Sequence, residues 1–348
     1  MRSFFLLRFN KDLSKTLPIL HVAAFFNSLD VFKYLIEYGM SIRQPSTKGY
    51  HPLHYACLNG SIDIVRYILE KDPLEIKETN DKEVYCFICL AINSNFVDIL
   101  RILIENGAKH LQCCNFDLTS LATQHENVDC FKVLYEAGMI QPPSKYSLLM
   151  NAVSSRSEAL VQYLLENGED PYYMTDTFHT ALSAACLLNQ ENIVKLLCDH
   201  MDVVDIDPNL NERAAVHWIC QSNNPEIVRM VLKKGIDVNR RDNLGNSGLH
   251  YLCNDDGDVD IAILEQLLHA GLDLNGEGIP ILYEMVDKLT TKCKVVKWLL
   301  DHGADPNAVV PTRNKTIAEI VEKKHNQQLR ALFPTKKTHV EIIRIKHS

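Results

Sequence analysis

From Ile62 to Glu70 the chain reads IDIVRYILE, and Ile64, Val65, Ile68 and Leu69 fall on one side of a 3.6-residue period. A shorter segment with the same character, marked by Leu53, His54 and Ala56, comes just before it. Pro52 opens that segment, where its missing N–H is no loss to a first helical turn, and Asn59-Gly60 closes it. The stretch from Gly49 to Pro73 is therefore predicted to be two short helices joined by a tight turn. Neither could bury its apolar stripe alone, so the pattern calls for neighbours of the same kind.

The chain supplies them. Near-copies of the second helix recur as YLIEYG, ILIENG, VLYEAG, YLLENG, VLKKGI, LLHAG and LLDHGA. Their ends fall at Gly39, Asp72, Gly107, Gly138, Gly168, Met201, Gly235, Gly271 and Gly303, at intervals of 33, 35, 31, 30, 33, 34, 36 and 32 residues. A glycine suits that place because a helix commonly stops with one residue in the left-handed region, where a Cβ costs about 1–2 kcal/mol. Asp72 can visit that region, whereas Met201 cannot do so cheaply, so the sixth copy is expected to end differently. The first helices give an independent register. Leu20-His21, Leu53-His54, Val216-His217 and Leu249-His250 share one phase, and His217, His250 and Tyr283 follow one another at intervals of 33. A period of this length is the mark of a stacked repeat architecture.

PILHVA (18–23), PLHYA (52–56), TALSA (180–184) and SGLHY (247–251) each match part of Thr-Pro-Leu-His-x-Ala, so the chain resembles the ankyrin-repeat family. The resemblance covers about residues 16–333. It implies an all-α ankyrin-repeat solenoid with short β-hairpin loops, in which the histidine bonds backbone and ties neighbouring turns together. The copies are placed at about 16–40, 48–72, 81–107, 115–138, 144–168, 177–201, 211–235, 243–271 and 278–303, with a polar-faced cap at 316–333. A capping segment (1–15) precedes them and a basic tail (334–348) follows. Insertions are expected around Asp255-Asp256-Gly257 and Thr290-Thr291, between paired helices. Stacked repeats share one core, so a single elongated domain is expected despite the 348 residues.

Composition changes the picture little. A net charge of −8 argues against nucleic acid as partner. No apolar run reaches the ~20 residues of a membrane helix, and Arg8 interrupts MRSFFLLRFN, making it a poor signal peptide. The eleven cysteines sort by repeat phase. Cys57, Cys186, Cys220 and Cys253 lie three residues after the histidine position, and Cys130 and Cys198 take apolar places on second helices. Such placement reads as packing in a reducing, cytoplasmic setting.

Candidate chemistry is sparse. Cys86-x-x-Cys89, with His110 and Cys113-Cys114, is the best metal candidate, but Cys89 merely replaces the repeat's histidine, so packing is expected and no metal or cofactor. The acidic loop from Asp255 lacks the glycine and glutamate of a calcium loop, and no phosphate loop, nucleophile elbow or H-E-x-x-H occurs. A non-enzymatic protein is expected. Asp237-Val238-Asn239, Asp273-Leu274-Asn275 and Asp305-Pro306-Asn307 read as turns closed by Asp and Asn. With Leu267 and Leu299 eight residues upstream, the last two also resemble what asparaginyl hydroxylases read.

Four residues before the histidine position stand Tyr50, Tyr85, Phe116, Tyr146 and His179. In the ankyrin family this place faces the concave groove, which would make them a ladder for a protein partner, flanked by Phe25, Phe26, Leu58, Asn59, Leu187 and Leu188. The alternative for the aromatics is intramolecular packing at the hairpin base. The function expected is a protein–protein interaction scaffold. The alternative is a permanent component of a cytoskeletal or axonemal assembly, a filament or similar large structure. Because each repeat leans on its neighbours, Leu182→Asp should unfold the chain locally, seen as lost hydrogen-exchange protection in the adjoining repeats; unchanged exchange there would refute stacking.

Overall fold

The computed structural model describes residues 17–77, 86–108, 118–123, 128–140, 147–174, 180–202, 213–253, 259–276, 279–288 and 293–333. It divides into two compact units, residues 1–163 and 164–348, and each is described by itself. The capping segment, both insertions and the basic tail lie outside the described residues.

In the first unit the helices come in pairs: α1 (Ile19–Phe25) with α2 (Leu29–Glu37), α3 (Pro52–Asn59) with α4 (Ile62–Lys71), and α5 (Phe87–Ser94) with α6 (Val97–Glu105). Next come α7 (Leu118–Thr123) with α8 (Asp129–Glu136), then α9 (Leu148–Ser154) and the start of α10 (Glu158–Glu166). First helices pack on first helices, in the order α1, α3, α5, α7, α9, and second helices on second, in the order α2, α4, α6, α8. The predicted stripe of α4 is the buried one: Ile64, Val65, Ile68 and Leu69 are all inside. First helices are buried almost all round, as α3 shows from Pro52 to Leu58, because they meet a partner helix and a neighbour on either side.

The second unit repeats the scheme. Its pairs are α11 (Ala181–Leu187) with α12 (Glu191–His200), α13 (Ala215–Ser222) with α14 (Pro225–Leu232), and α15 (Gly248–Leu252) with α16 (Ile261–His269). They are followed by α17 (Ile281–Lys288) with α18 (Cys293–Asp301), and by the cap pair α19 (Ile317–Glu322) and α20 (Gln327–Leu332). Again α11, α13, α15, α17 and α19 stack in order, as do α12, α14 and α16, and α18 with α20. Among the described residues, strand pairing occurs once, as the antiparallel β1 (Val309–Val310) and β2 (Lys315–Thr316) ahead of the cap. The other described connections close as turns.

Helix ends follow the glycine spacing. Gly39, Gly107, Gly138, Gly168, Gly235, Gly271 and Gly303 all have positive φ, and after Gly39, Gly138, Gly168, Gly271 and Gly303 the next residue's N–H reaches back five positions, as Met40 to Leu35 and Ala304 to Leu299. Met201 instead ends α12 in extended backbone, as expected. Asp72 departs from expectation. It too is extended (φ −143°), its carboxylate held by the Arg43 guanidinium of the preceding repeat at 2.7 Å.

A second series of left-handed residues, not anticipated as such, separates the helices within six of the pairs: Asn27, Gly60, Asn95, Arg156, Asn189 and Asn223. The following N–H again reaches back, to the carbonyls of Ala23, Ala56, Ala91, Ala152 and Ala185. Asparagine tolerates this conformation because its short polar side chain bonds locally. Gly60 has a further reason, since a Cβ there would lie 2.6 Å from the Phe96 ring. Gly39 has the same sign of φ and open space around it. Gly39→Ala should therefore show only the backbone penalty of about 1–2 kcal/mol, while Gly60→Ala should lose clearly more in urea denaturation. Equal losses would contradict the close packing of Phe96.

Candidate protein-binding surface

The repeat histidines sit at the inner base of the turns that join repeats. His21 Nε2 meets the Tyr50 carbonyl at 3.1 Å, and His217 Nε2 meets the Asn246 carbonyl at 3.3 Å, both 29 residues further on. In His54 and His217 the Nδ1 nitrogen is used locally. Backbone N–H groups of His51 and Ala214 donate to His54 Nδ1 and His217 Nδ1, each at 2.9 Å. An accepting Nδ1 requires the proton on Nε2, so the His217 ring is neutral and its Nε2–H donates to the next repeat. Burial pushes all three rings down: His21 to about 4, with His54 and His217 also lowered. His21 and His217 tie one turn to the next, whereas the buried His54 Nε2 makes no hydrogen bond among the described residues.

The same geometry removes Tyr50 from the expected aromatic ladder. Tyr50 is buried, its ring edge-on to His54 and Tyr55, and its backbone closes the Ser46–Tyr50 turn in both directions. Asn246 takes the equivalent place in the second unit, also buried, with its N–H and side-chain amide both on Asp242. This phase is the hairpin base, because its carbonyl must face the histidine of the preceding repeat. Phe25 and Leu58 are likewise buried and belong to the core. Tyr85, Phe116, Tyr146 and His179 lie outside the described residues.

Four of the expected positions do reach solvent. Phe26 caps α1 and is 63% exposed, with its ring edge-on to Phe25. Asn59 ends α3 and donates its amide to the Phe25 carbonyl. In the second unit Leu187 ends α11 and Leu188 caps it, both more than a third exposed. Sequence reasoning missed Leu244, 75% exposed in the Asp242–Gly245 turn, and Tyr172 and Tyr173 in the turn after α10. The available signal was the glycine at Gly245, which marks a turn whose preceding residue must point outward.

Polar chemistry here is structural. Asn239 bonds the next repeat with both ends of its amide, to the Gly271 carbonyl and the Asp273 N–H, and Asn275 does the same with Gly303 and Asp305. Arg241 holds the buried Glu284 at 2.6 Å, which also accepts from Ser247. In the first unit, His51 meets the buried Glu75 at 2.6 Å. The described residues hold no group of three or more His, Cys, Asp and Glu arranged for a metal ion, and no helix long and apolar enough to cross a membrane. His110, Cys113 and Cys114 lie outside them.

Helix pairs with glycine-closed ends, histidine-tied turns and asparagine-bridged loops define a repeat protein of the protein-interaction type. The ankyrin-repeat profile matches three times, over residues 4–80, 88–175 and 149–242, and the chain belongs to that family. A putative ankyrin repeat protein of Rickettsia felis is 24% identical over 292 residues, covering 82% of this chain and 73% of its own length. The ankyrin repeat and KH domain-containing protein mask-1 of Caenorhabditis elegans is 24% identical over 60% of this chain, which spans only 8% of that protein. Among solved structures, the ankyrin repeat domain of Bcl-3 superposes with a TM-score of 0.50 at 20% identity, over 64% of this chain and 99% of that domain. Ankyrin repeats are generally protein–protein interaction modules, and the family and fold are typically non-enzymatic.

Because the buried rings bind protons less readily folded than unfolded, the unfolded chain takes up the extra protons between pH 6.5 and about 4. Folding stability should therefore be fully present above pH 6.5 and fall as pH drops through that window. Urea midpoints measured from pH 7 to 4 should show the decline, and His21→Gln should flatten it; a flat wild-type profile would contradict the tie.

Proposed function

We propose that this chain is a non-enzymatic cytoplasmic scaffold whose first helices and turn tips grip a segment of a protein partner on the groove side of the repeats, with no cofactor and no nucleic acid. The observation that carries this reading is the pair Leu187 and Leu188. At the end of α11 they are each a little more than a third exposed, while Ala181, Leu182, Ala185 and Cys186 of the same helix are buried. The part of their apolar surface left uncovered, more than a third of each residue, is available to a partner. Large apolar side chains among polar neighbours are what protein interfaces use as anchors. In the first unit Phe26 has the same character. The other reading drawn from the sequence, a permanent part of a cytoskeletal or axonemal assembly, rests on the fold class alone. Detergent fractionation separates the two, since a filament component stays in the insoluble fraction.

The test compares the full chain with its Leu187→Asp/Leu188→Asp variant in quantitative affinity purification, after circular dichroism has shown equal helix content. Loss of an anchor pair should lower recovery of the specific partner at least about tenfold, equivalent to ~1.4 kcal/mol. Equal recovery would overturn the assignment to this surface. Tyr85→Ala/Phe116→Ala tests the aromatic ladder in the same assay.

A further inference from the structure

Ahead of some of the first helices, the preceding residue and the residue three further on face one another, because each can bond the other's backbone N–H. Thr180 and Ser183 do this ahead of α11, with Ser183 N–H on Thr180 Oγ1 at 3.2 Å and Thr180 N–H on Ser183 Oγ at 3.0 Å. Thr316 and Glu319 do it in the cap. Ahead of α5 the same two places are taken by Cys86 and Cys89. The Cys89 N–H donates to Cys86 Sγ at 3.3 Å, and the two sulfurs stand 3.2 Å apart. The capping geometry, needed for the helix start, thus brings two thiols, neither of them in a disulfide, to within roughly 1 Å of the ~2.05 Å disulfide bond.

We propose that Cys86 and Cys89 are a reversible dithiol–disulfide site, oxidised by exchange with a low-molecular-weight disulfide of the glutathione type. Cys86 is the attacking thiol, since it retains some surface while Cys89 has none. Its deprotonated sulfur attacks one sulfur of the small disulfide; that S–S bond breaks, and one glutathione leaves as thiolate. Deprotonated Cys89 then attacks the Cys86 sulfur of the mixed disulfide and displaces the second glutathione. Two protein thiols lose two electrons, one small disulfide becomes two thiols, and the two cysteine protons end on them. The nearby Cys57 is fully buried, and burial, reinforced by Cys86, pushes its thiol well up, so it competes poorly as a nucleophile. The bond would pin the start of α5, the helix packed between α3 and α7.

The test uses the full native chain equilibrated over graded ratios of reduced to oxidised glutathione, quenched by alkylation and digested with trypsin. Peptide 83–101 contains Cys86 and Cys89 and no other cysteine. As the mixture becomes more oxidising, both sites should stop taking alkyl groups together, the peptide becoming lighter by two hydrogens, and reduced glutathione should restore them. In Cys86→Ser, which keeps a hydroxyl at the cap, Cys89 should remain alkylatable over the same range. The proposal is overturned if both thiols of the wild type stay alkylatable throughout, if each carries a separate stable glutathione, if the bridge formed joins Cys86 to Cys57, or if the pair closes only in denaturant.

Discussion

Everything in this molecule depends on one shortage. A helix pair of some twenty-five residues has an apolar stripe on each helix and no way to cover both from within. Burial of an aliphatic side chain contributes about 1.5–3 kcal/mol, and for Ile64, Val65, Ile68 and Leu69 much of that comes from the neighbouring second helices α2 and α6. Stability in such an array is approximately a sum of intrinsic and nearest-neighbour contributions, so the period must be kept even where the sequence drifts. That explains why degenerate copies persist: any apolar residue in the right phase will do, cysteine included. Cys57, Cys186, Cys220 and Cys253 occupy one such place, all buried.

Hydrophobic stacking fixes spacing but leaves the turns between repeats free, and polar residues settle those. His21 and His217 each use one ring nitrogen to reach a carbonyl one repeat on, while Asn239 and Asn275 clasp the next loop with both ends of an amide. Arg43 with Asp72, and Arg241 with Glu284, add charged links across 29 and 43 residues. Each link is made inside the molecule, and so removes its residue from the supply of groups available to a ligand. Phe26, Tyr38 and the tip residue Leu244 stay exposed outside these links, and Leu187 and Leu188 do so in part.

The period, the helix pairs and the glycine stops were legible because each is a local rule repeated many times. One left-handed residue per helix end and one apolar stripe per helix can be read without knowing where the neighbour lies. Met201 was legible for the same reason, since its side chain excludes the left-handed stop. Asp72 was legible only in part: Pro73 directly after it favours extended backbone, while the Arg43 guanidinium that holds its carboxylate comes from 29 residues away.

The candidate surface shows the same division more sharply. Sequence alone determined that Tyr50 shares a phase with Asn246 and that Phe26, Asn59 and Leu188 share another. It could not say which phase faces water, because an aromatic before a helix serves equally well inside a turn or outside it. The tertiary structure placed the first inside, since its carbonyl has to meet a histidine from the preceding repeat and the ring follows the backbone inward. It left most of the second outside, where a helix ends beyond the reach of its neighbours.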